Sequence, residues 1–138
     1  GLGSSGYMNS AELYDPSTGT WSTTGNINYG RYQHATSVLP NGKVCLTGGL
    51  VSSISSSSTE LYDESTGIWS LTANMTSARN SLTTSTLNNG KILAIGSNVY
   101  NCDLYDYQTA SWTLTSSMTY SRNFHFNRWK CISQRRTR

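Results

Sequence analysis

The chain repeats itself. The segment Ala11-Glu-Leu-Tyr-Asp-Pro-Ser-Thr-Gly-Thr-Trp21 returns 48 residues later as Thr59-Glu-Leu-Tyr-Asp-Glu-Ser-Thr-Gly-Ile-Trp69, and after another 43 in worn form as Cys102-Asp-Leu-Tyr-Asp-Tyr-Gln-Thr-Ala-Ser-Trp112. The 48-residue offset also relates Arg31 to Arg79, Asn41-Gly42-Lys43 to Asn89-Gly90-Lys91, Gly48 to Gly96, and Gly1-Leu2 to Gly49-Leu50. A fixed period of this size marks a supersecondary unit that cannot bury its apolar surface alone and must stack on copies of itself. The shorter second offset reflects a deletion in the Ser-rich stretch Val51–Ser58. With 12% charged and 36% apolar residues and abundant Ser and Thr, the composition suits many short strands rather than solvent-facing helices. Helical bundles and coiled coils are excluded.

Within one period the local chemistry predicts four strands. His34–Leu39 ends at Pro40-Asn41-Gly42, where Asn-Gly supplies the positive φ of a hairpin turn. Lys43–Thr47 follows and stops at Gly48-Gly49. Beyond the Ser-rich stretch, Thr59–Asp63 alternates so that Leu61 faces away from Glu60 and Tyr62. Glu64–Gly67 then turns the chain into Ile68–Leu71. Four antiparallel strands make a twisted sheet with two partly apolar faces, and radial stacking of such sheets is the β-propeller solution.

The set Gly48-Gly49, Glu60-Leu-Tyr-Asp63, Trp69, Met75 and Arg79 resembles the kelch repeat, marked by a double glycine and a tyrosine and tryptophan at fixed spacing. The period fits the roughly 50 residues of that class and exceeds the roughly 40 to 45 of WD repeats, whose Gly-His and Trp-Asp pairs are missing. The resemblance spans residues 1 to about 125 and implies an all-β, partial propeller of four-stranded antiparallel blades. Residues 1–30 end one blade, 31–78 and 79–121 are full repeats, and 122–125 begin another. In the third copy Gly96-Ser97 replaces the double glycine and Ala110-Ser111 the Thr-Gly turn, which predicts a less regular blade. The structural marks are Gly48 and Gly49 for close backbone approach, with Tyr14, Tyr62, Tyr105, Trp21, Trp69 and Trp112 packing between sheets. Glu60 and Asp63, like Glu12 and Asp15, read as strand-edge and turn residues. Two full repeats fall short of the roughly 4 to 8 blades that close a propeller. The chain is therefore expected to be a fragment of a longer propeller or to close a ring by self-association.

Charge is unevenly placed. Arg128, Lys130, Arg135, Arg136 and Arg138 crowd the end, and residues 1–127 carry seven acidic against five basic groups, so the body lacks the basic footprint of a nucleic-acid binder. Residues 126–138 leave the repeat pattern. Codons compatible with Arg128 to Thr137, read one nucleotide later, spell Asp-Gly-Asn-Val-Leu-Val-Asn-Gly-Gly, the missing turn, strand and double glycine, so the tail is read as a frame-shifted repeat. No apolar run reaches the roughly 18 residues of a membrane span and residues 1–6 lack leader features, so no membrane partner is expected. Cys45, Cys102 and Cys131 are odd in number and lack CxxC spacing, against a disulfide framework or zinc knuckle.

The connections that carry Arg31, Arg79 and Arg122 emerge, in propeller topology, on the same face as the Ser-rich stretch. That face, with Tyr32, His34 and His125, is the expected binding face, and residues 52–58 are read as a flexible loop, with loop phosphorylation a minor alternative. The leading expectation is a non-catalytic protein-interaction module with no cofactor, no metal site and a protein partner. The alternative comes from the resemblance, since some kelch propellers similar to galactose oxidase and glyoxal oxidase hold copper with histidines, tyrosines and a tyrosine-linked cysteine. Tyr32, His34 and His125 are suitable ligand types. Cys45, inside a strand, does not match the cross-linking position, and Leu82 stands where His34 does. A truncated product without independent function is the third reading. No catalytic triad, HExxH or P-loop occurs, and Asn74-Met75-Thr76 is a formal glycosylation acceptor.

Overall fold

The computed structural model describes residues 1–4, 6–97 and 100–119. Arg122, His125, the expected blade start at 122–125 and the basic tail 126–138 lie outside them. Fourteen strands and no helix make up the described residues. A short hairpin, β1 (Leu2–Gly3) with β2 (Gly6–Tyr7), precedes a two-stranded sheet of β3 (Glu12–Asp15) and β4 (Thr20–Thr23). The first four-stranded sheet is built from β5 (Ala35–Val38), β6 (Val44–Thr47), β9 (Thr59–Asp63) and β10 (Ile68–Leu71), with the hairpin β7 (Leu50–Val51) and β8 (Ile54–Ser55) inserted between its second and third strands. The second is β11 (Leu82–Thr86), β12 (Ile92–Gly96), β13 (Cys102–Asp106) and β14 (Ser111–Thr115) in spatial order. Both are antiparallel meanders, the blades of an all-β, partial propeller-like array.

The turns follow from sequence, with one refinement. Leu39 N–H donates to Lys43 O and Gly42 N–H to Leu39 O, so the loop has three residues. Gly42 has φ 81° whereas Asn41 stays out of the left-handed region and instead accepts from Lys43 N–H through its side chain. This is a type I turn closed by a glycine bulge, one of the standard hairpin loops. At the β9–β10 turn, Asp63 Oδ1 accepts from Ser65 N–H and Oγ, and Gly67 sits at φ 67°. The third copy keeps the same path. Ser97 adopts φ 63° and Ala110 φ 50°, positions glycine would occupy at less cost, yet β11–β14 is fully paired. The expected irregularity is not found, because its ladder and packing outweigh two strained residues.

The Ser-rich stretch is likewise not a flexible loop. Ser52 and Ser53 take φ 48° and 67°, the positive pair of a mirror-image turn, and fold 50–55 into the β7–β8 hairpin. Ser56 bridges Arg79, and Ser57 O accepts from Met75 N–H, which ties the stretch to the next connection.

Neighbouring sheets lock together at two radii. Near the inner strands, Ser37 Oγ donates to Thr84 Oγ1, and Thr86 Oγ1 donates to Val38 O. Further out, Thr24 Oγ1 meets Tyr62 Oη at 2.6 Å and Thr72 Oγ1 meets Tyr105 Oη at 2.9 Å, the same contact one blade on. Each tyrosine stacks on its repeat's tryptophan, with centroids 5.1, 5.0 and 5.1 Å apart for Tyr14–Trp21, Tyr62–Trp69 and Tyr105–Trp112. The core between the two blades includes Leu39, Cys45, Met75, Leu82, Ile92, Tyr105 and Trp112.

One repeated contact is broken in an instructive way. Trp112 Nε1–H donates to Thr59 Oγ1 of the preceding blade, but buried Trp69 Nε1 finds no acceptor, because Ala11 stands at the position of Thr59. Ala11→Thr restores a hydroxyl there and is expected to raise the unfolding free energy by about 1 kcal/mol, read from urea denaturation. An unchanged midpoint would show that the hydroxyl does not reach the indole.

Candidate functional site

The most built polar site is internal. Arg31 is fully buried, and its Nη2 reaches Glu60 Oε1 at 2.6 Å, while Nη1 donates to Gly48 O and Ser58 O and Nε to Tyr29 O. Glu60, also fully buried, accepts from Asn28 N–H and Nδ2 at Oε2 and from Tyr29 N–H at Oε1. One blade on, Arg79 donates to Asp103 Oδ2 from Nε (3.1 Å) and Nη2 (2.8 Å), to Gly96 O and to Asn101 Oδ1. Asp103 Oδ1 accepts from Thr76 N–H and Oγ1. Burial pulls the Arg31 pKa down, and the charge and hydrogen bond of Glu60 oppose that. The arginine of each connection thus pins the second strand's glycine carbonyl and the third strand's carboxylate of its own sheet.

These positions correct two sequence expectations. Arg31 and Arg79 do not belong to a binding face, because neither exposes any surface. Glu60 is no strand-edge residue but the buried counter-ion. Asp63 and Asp106 remain turn residues and make exposed bridges to Lys43 and Lys91. The glycines explain why the arginines fit: Gly48 (φ 67°) and Gly49 (φ 96°) run so close to the next connection that a Cβ would lie 2.7 Å from Arg79 O and 2.8 Å from Tyr32 O. Thr76, the hydroxyl residue of the formal glycosylation triplet, is committed to Asp103.

The loop face brings together Tyr32 and His34 but not much chemistry. Tyr32 is half-buried, bridges Leu50 and packs on Tyr7 with centroids 5.4 Å apart. His34 follows Gln33, which holds φ 58°, and its Nδ1 is buried without a hydrogen-bond partner. An orphaned imidazole nitrogen suits a metal, yet no group of three His, Cys, Asp or Glu side chains forms a metal cluster among the described residues. Cys45 is buried in β6, its thiol pKa pushed up to about 12 by burial, so it stays protonated and unreactive. Cys102 is buried as well. The described residues do not fit a complete copper centre. Beside them, Tyr29, Val51, Ser56, Ser58, Leu71 and Asn74 line an open groove of about 500 Å³.

No protein-family model matches the chain, and no curated protein does. Solved structures do. A novel fungal alcohol oxidase of the AA5 family, determined in complex with copper, superposes with a TM-score of 0.64 at 25% sequence identity over 81% of this chain. The chain spans 25% of that protein's length. The likeness supports the distant similarity to galactose oxidase-like propellers and overturns the expectation that the chain is unrelated to any enzyme. It backs the oxidase alternative rather than the protein-interaction reading.

Two measurements probe the site. Arg31→Met and Glu60→Leu are each expected to cost about 3–5 kcal/mol of unfolding free energy, since either leaves a buried charge unpaired, and the double variant less than the sum. Urea denaturation of the cycle reads this, and singles costing under about 1 kcal/mol would refute it. His34 gives a pH signature. Burial first, then the positive N-terminus and Arg31, hold its folded pKa below the ordinary value of 6.5. The unfolded chain therefore takes up a proton that the folded chain refuses, so stability is full above about pH 6.5 and falls as pH drops toward the folded pKa. His34→Leu, the residue Leu82 supplies in the next repeat, is expected to flatten that part of the pH–stability curve.

Proposed function

We propose that the chain is a kelch-type propeller segment of a protein similar to copper alcohol oxidases, in which it serves as rigid scaffold. In this reading residues 31–78 and 79–121 are the repeat units and 1–30 the end of the preceding blade. The observation that carries it is the structural likeness over four-fifths of the chain to a fungal alcohol oxidase in complex with copper. The buried ion pairs support a scaffold role: they fix each connection relative to its sheet, and the loop face bearing Tyr32 and His34 is held on that frame. The described residues offer one histidine with a free nitrogen and no further ligand cluster, so the redox centre is assigned to parts of the protein beyond them.

The test is copper content and hydrogen peroxide formation with a panel of alcohols and aldehydes. It compares the 138-residue chain with the product of the gene's full reading frame. The expected outcome is peroxide from the copper-loaded full-length protein and none from the chain alone. A full-length protein that holds copper with no oxidase activity on any substrate, or that binds no copper, would overturn the reading.

A further inference from the structure

The ion pair that repeats in β9 and β13 has a third carboxylate without a cation. Glu12 on β3 occupies the position of Glu60 and Asp103, yet it is exposed, and no hydrogen bond or ion pair to it occurs among the described residues. In the two complete blades the arginine precedes the carboxylate by 29 and 24 residues and comes in just ahead of the first strand. For Glu12 no described residue fills that role. The strand is equally incomplete. β9 pairs with β10 on one side and β6 on the other, and β13 with β14 and β12, whereas β3 pairs only with β4. Its second edge presents open N–H and C=O groups. The aromatic pair on the same strands tells the same story: Tyr62 is 3% and Tyr105 0% exposed, but Tyr14 is 52% and Trp21 66% exposed.

We propose that the free edge of β3 is a docking site for an arginine-led β-hairpin, the first two strands of a further propeller blade, whose arginine ion-pairs with Glu12. The register follows from the complete blade. Tyr62, Leu61, Glu60 and Thr59 face Val44, Cys45, Leu46 and Thr47. Tyr14, Leu13, Glu12 and Ala11 therefore face the second strand of the incoming hairpin in the same order. Strand addition supplies the main-chain bonds, and the buried guanidinium–carboxylate pair selects the partner by charge. An unpartnered strand of other chemistry satisfies the edge but leaves Glu12 desolvated and unpaired, which disfavours it. The inference stands independently of the oxidase reading, because it uses only the internal symmetry of the chain.

The chain itself provides the probe: a synthetic peptide of residues 29–49, which holds Arg31, β5 and β6, titrated into the 138-residue protein by isothermal calorimetry. Saturable one-to-one binding is expected. Arg31→Gln in the peptide and Glu12→Gln in the protein are each expected to weaken it at least tenfold, and combining them to add little more. Because Glu12 is exposed and unpaired in the free chain, Glu12→Gln leaves the far-ultraviolet spectrum and melting temperature unchanged, so its effect on binding is not one of folding. No binding at millimolar peptide, binding indifferent to both substitutions, or equally tight binding of a peptide of residues 59–71, the outer two strands, would overturn the proposal.

Discussion

A buried guanidinium–carboxylate pair organises each blade of this protein. An arginine with no exposed surface is tolerable only if every donor is used and its charge is matched, and both conditions bind parts of the chain that sequence holds far apart. Arg31 joins the connection ahead of β5, the carbonyl at the end of β6, the carbonyl of Ser58 and the carboxylate of β9. Arg79 repeats the pattern with Gly96 and Asp103. The carboxylate in turn caps the backbone N–H groups of residue 28 or 76 in the connection arriving from the preceding blade. One ion pair therefore fixes strand order and the angle at which the chain crosses between blades. It also dictates the glycines, since the carbonyl that the guanidinium needs is presented only if the chain turns through positive φ with no side chain in the way.

The aromatic marks have a different task. Tyrosine and tryptophan of each repeat stack on one another and seal against the blade before, where Thr24 or Thr72 accepts or donates to the phenol. Their exposure depends on having a neighbour, which is why the pair in β3–β4 lies open while the later ones are covered. Propeller stability is thus set by nearest-neighbour contacts, and a blade's contribution depends on what precedes it. Trp69 illustrates the sensitivity, losing its hydrogen bond through one alanine in the preceding unit.

Strand positions were legible because they follow local rules. β9 and β10 fall where alternation and the Asp-x-Ser-x-Gly turn put them, and the repeat identified their copies. The role of the arginines was not legible, for a charged side chain in a loop between strands reads as solvent-facing until its long-range partners are known, and Glu60 is 29 residues away. A signal did exist: Arg31 and Arg79 recur along with the acidic residue after Thr59 and Cys102, and a cation and an anion that recur together suggest a pair. The Ser-rich hairpin escaped notice because Ser52-Ser53 is an unusual carrier of two positive φ values, which Asn-Gly would have announced.

The two unsatisfied nitrogens separate frame from function. Trp69 Nε1 is orphaned by a lapse in the repeat, whereas His34 Nδ1 is orphaned where the repeat is free to vary, since leucine occupies the same place one blade on. A buried imidazole without a partner destabilises the fold, and a leucine there would avoid the cost. That His34 lies beside Tyr32, on the connection clamped by Arg31, means the ion pair which holds the blade also fixes the orientation of the chemistry-bearing side chains at its rim. The scaffold and the loop face are therefore not separable parts: loosening Arg31–Glu60 would blur the position of His34 even where the sheet itself survives.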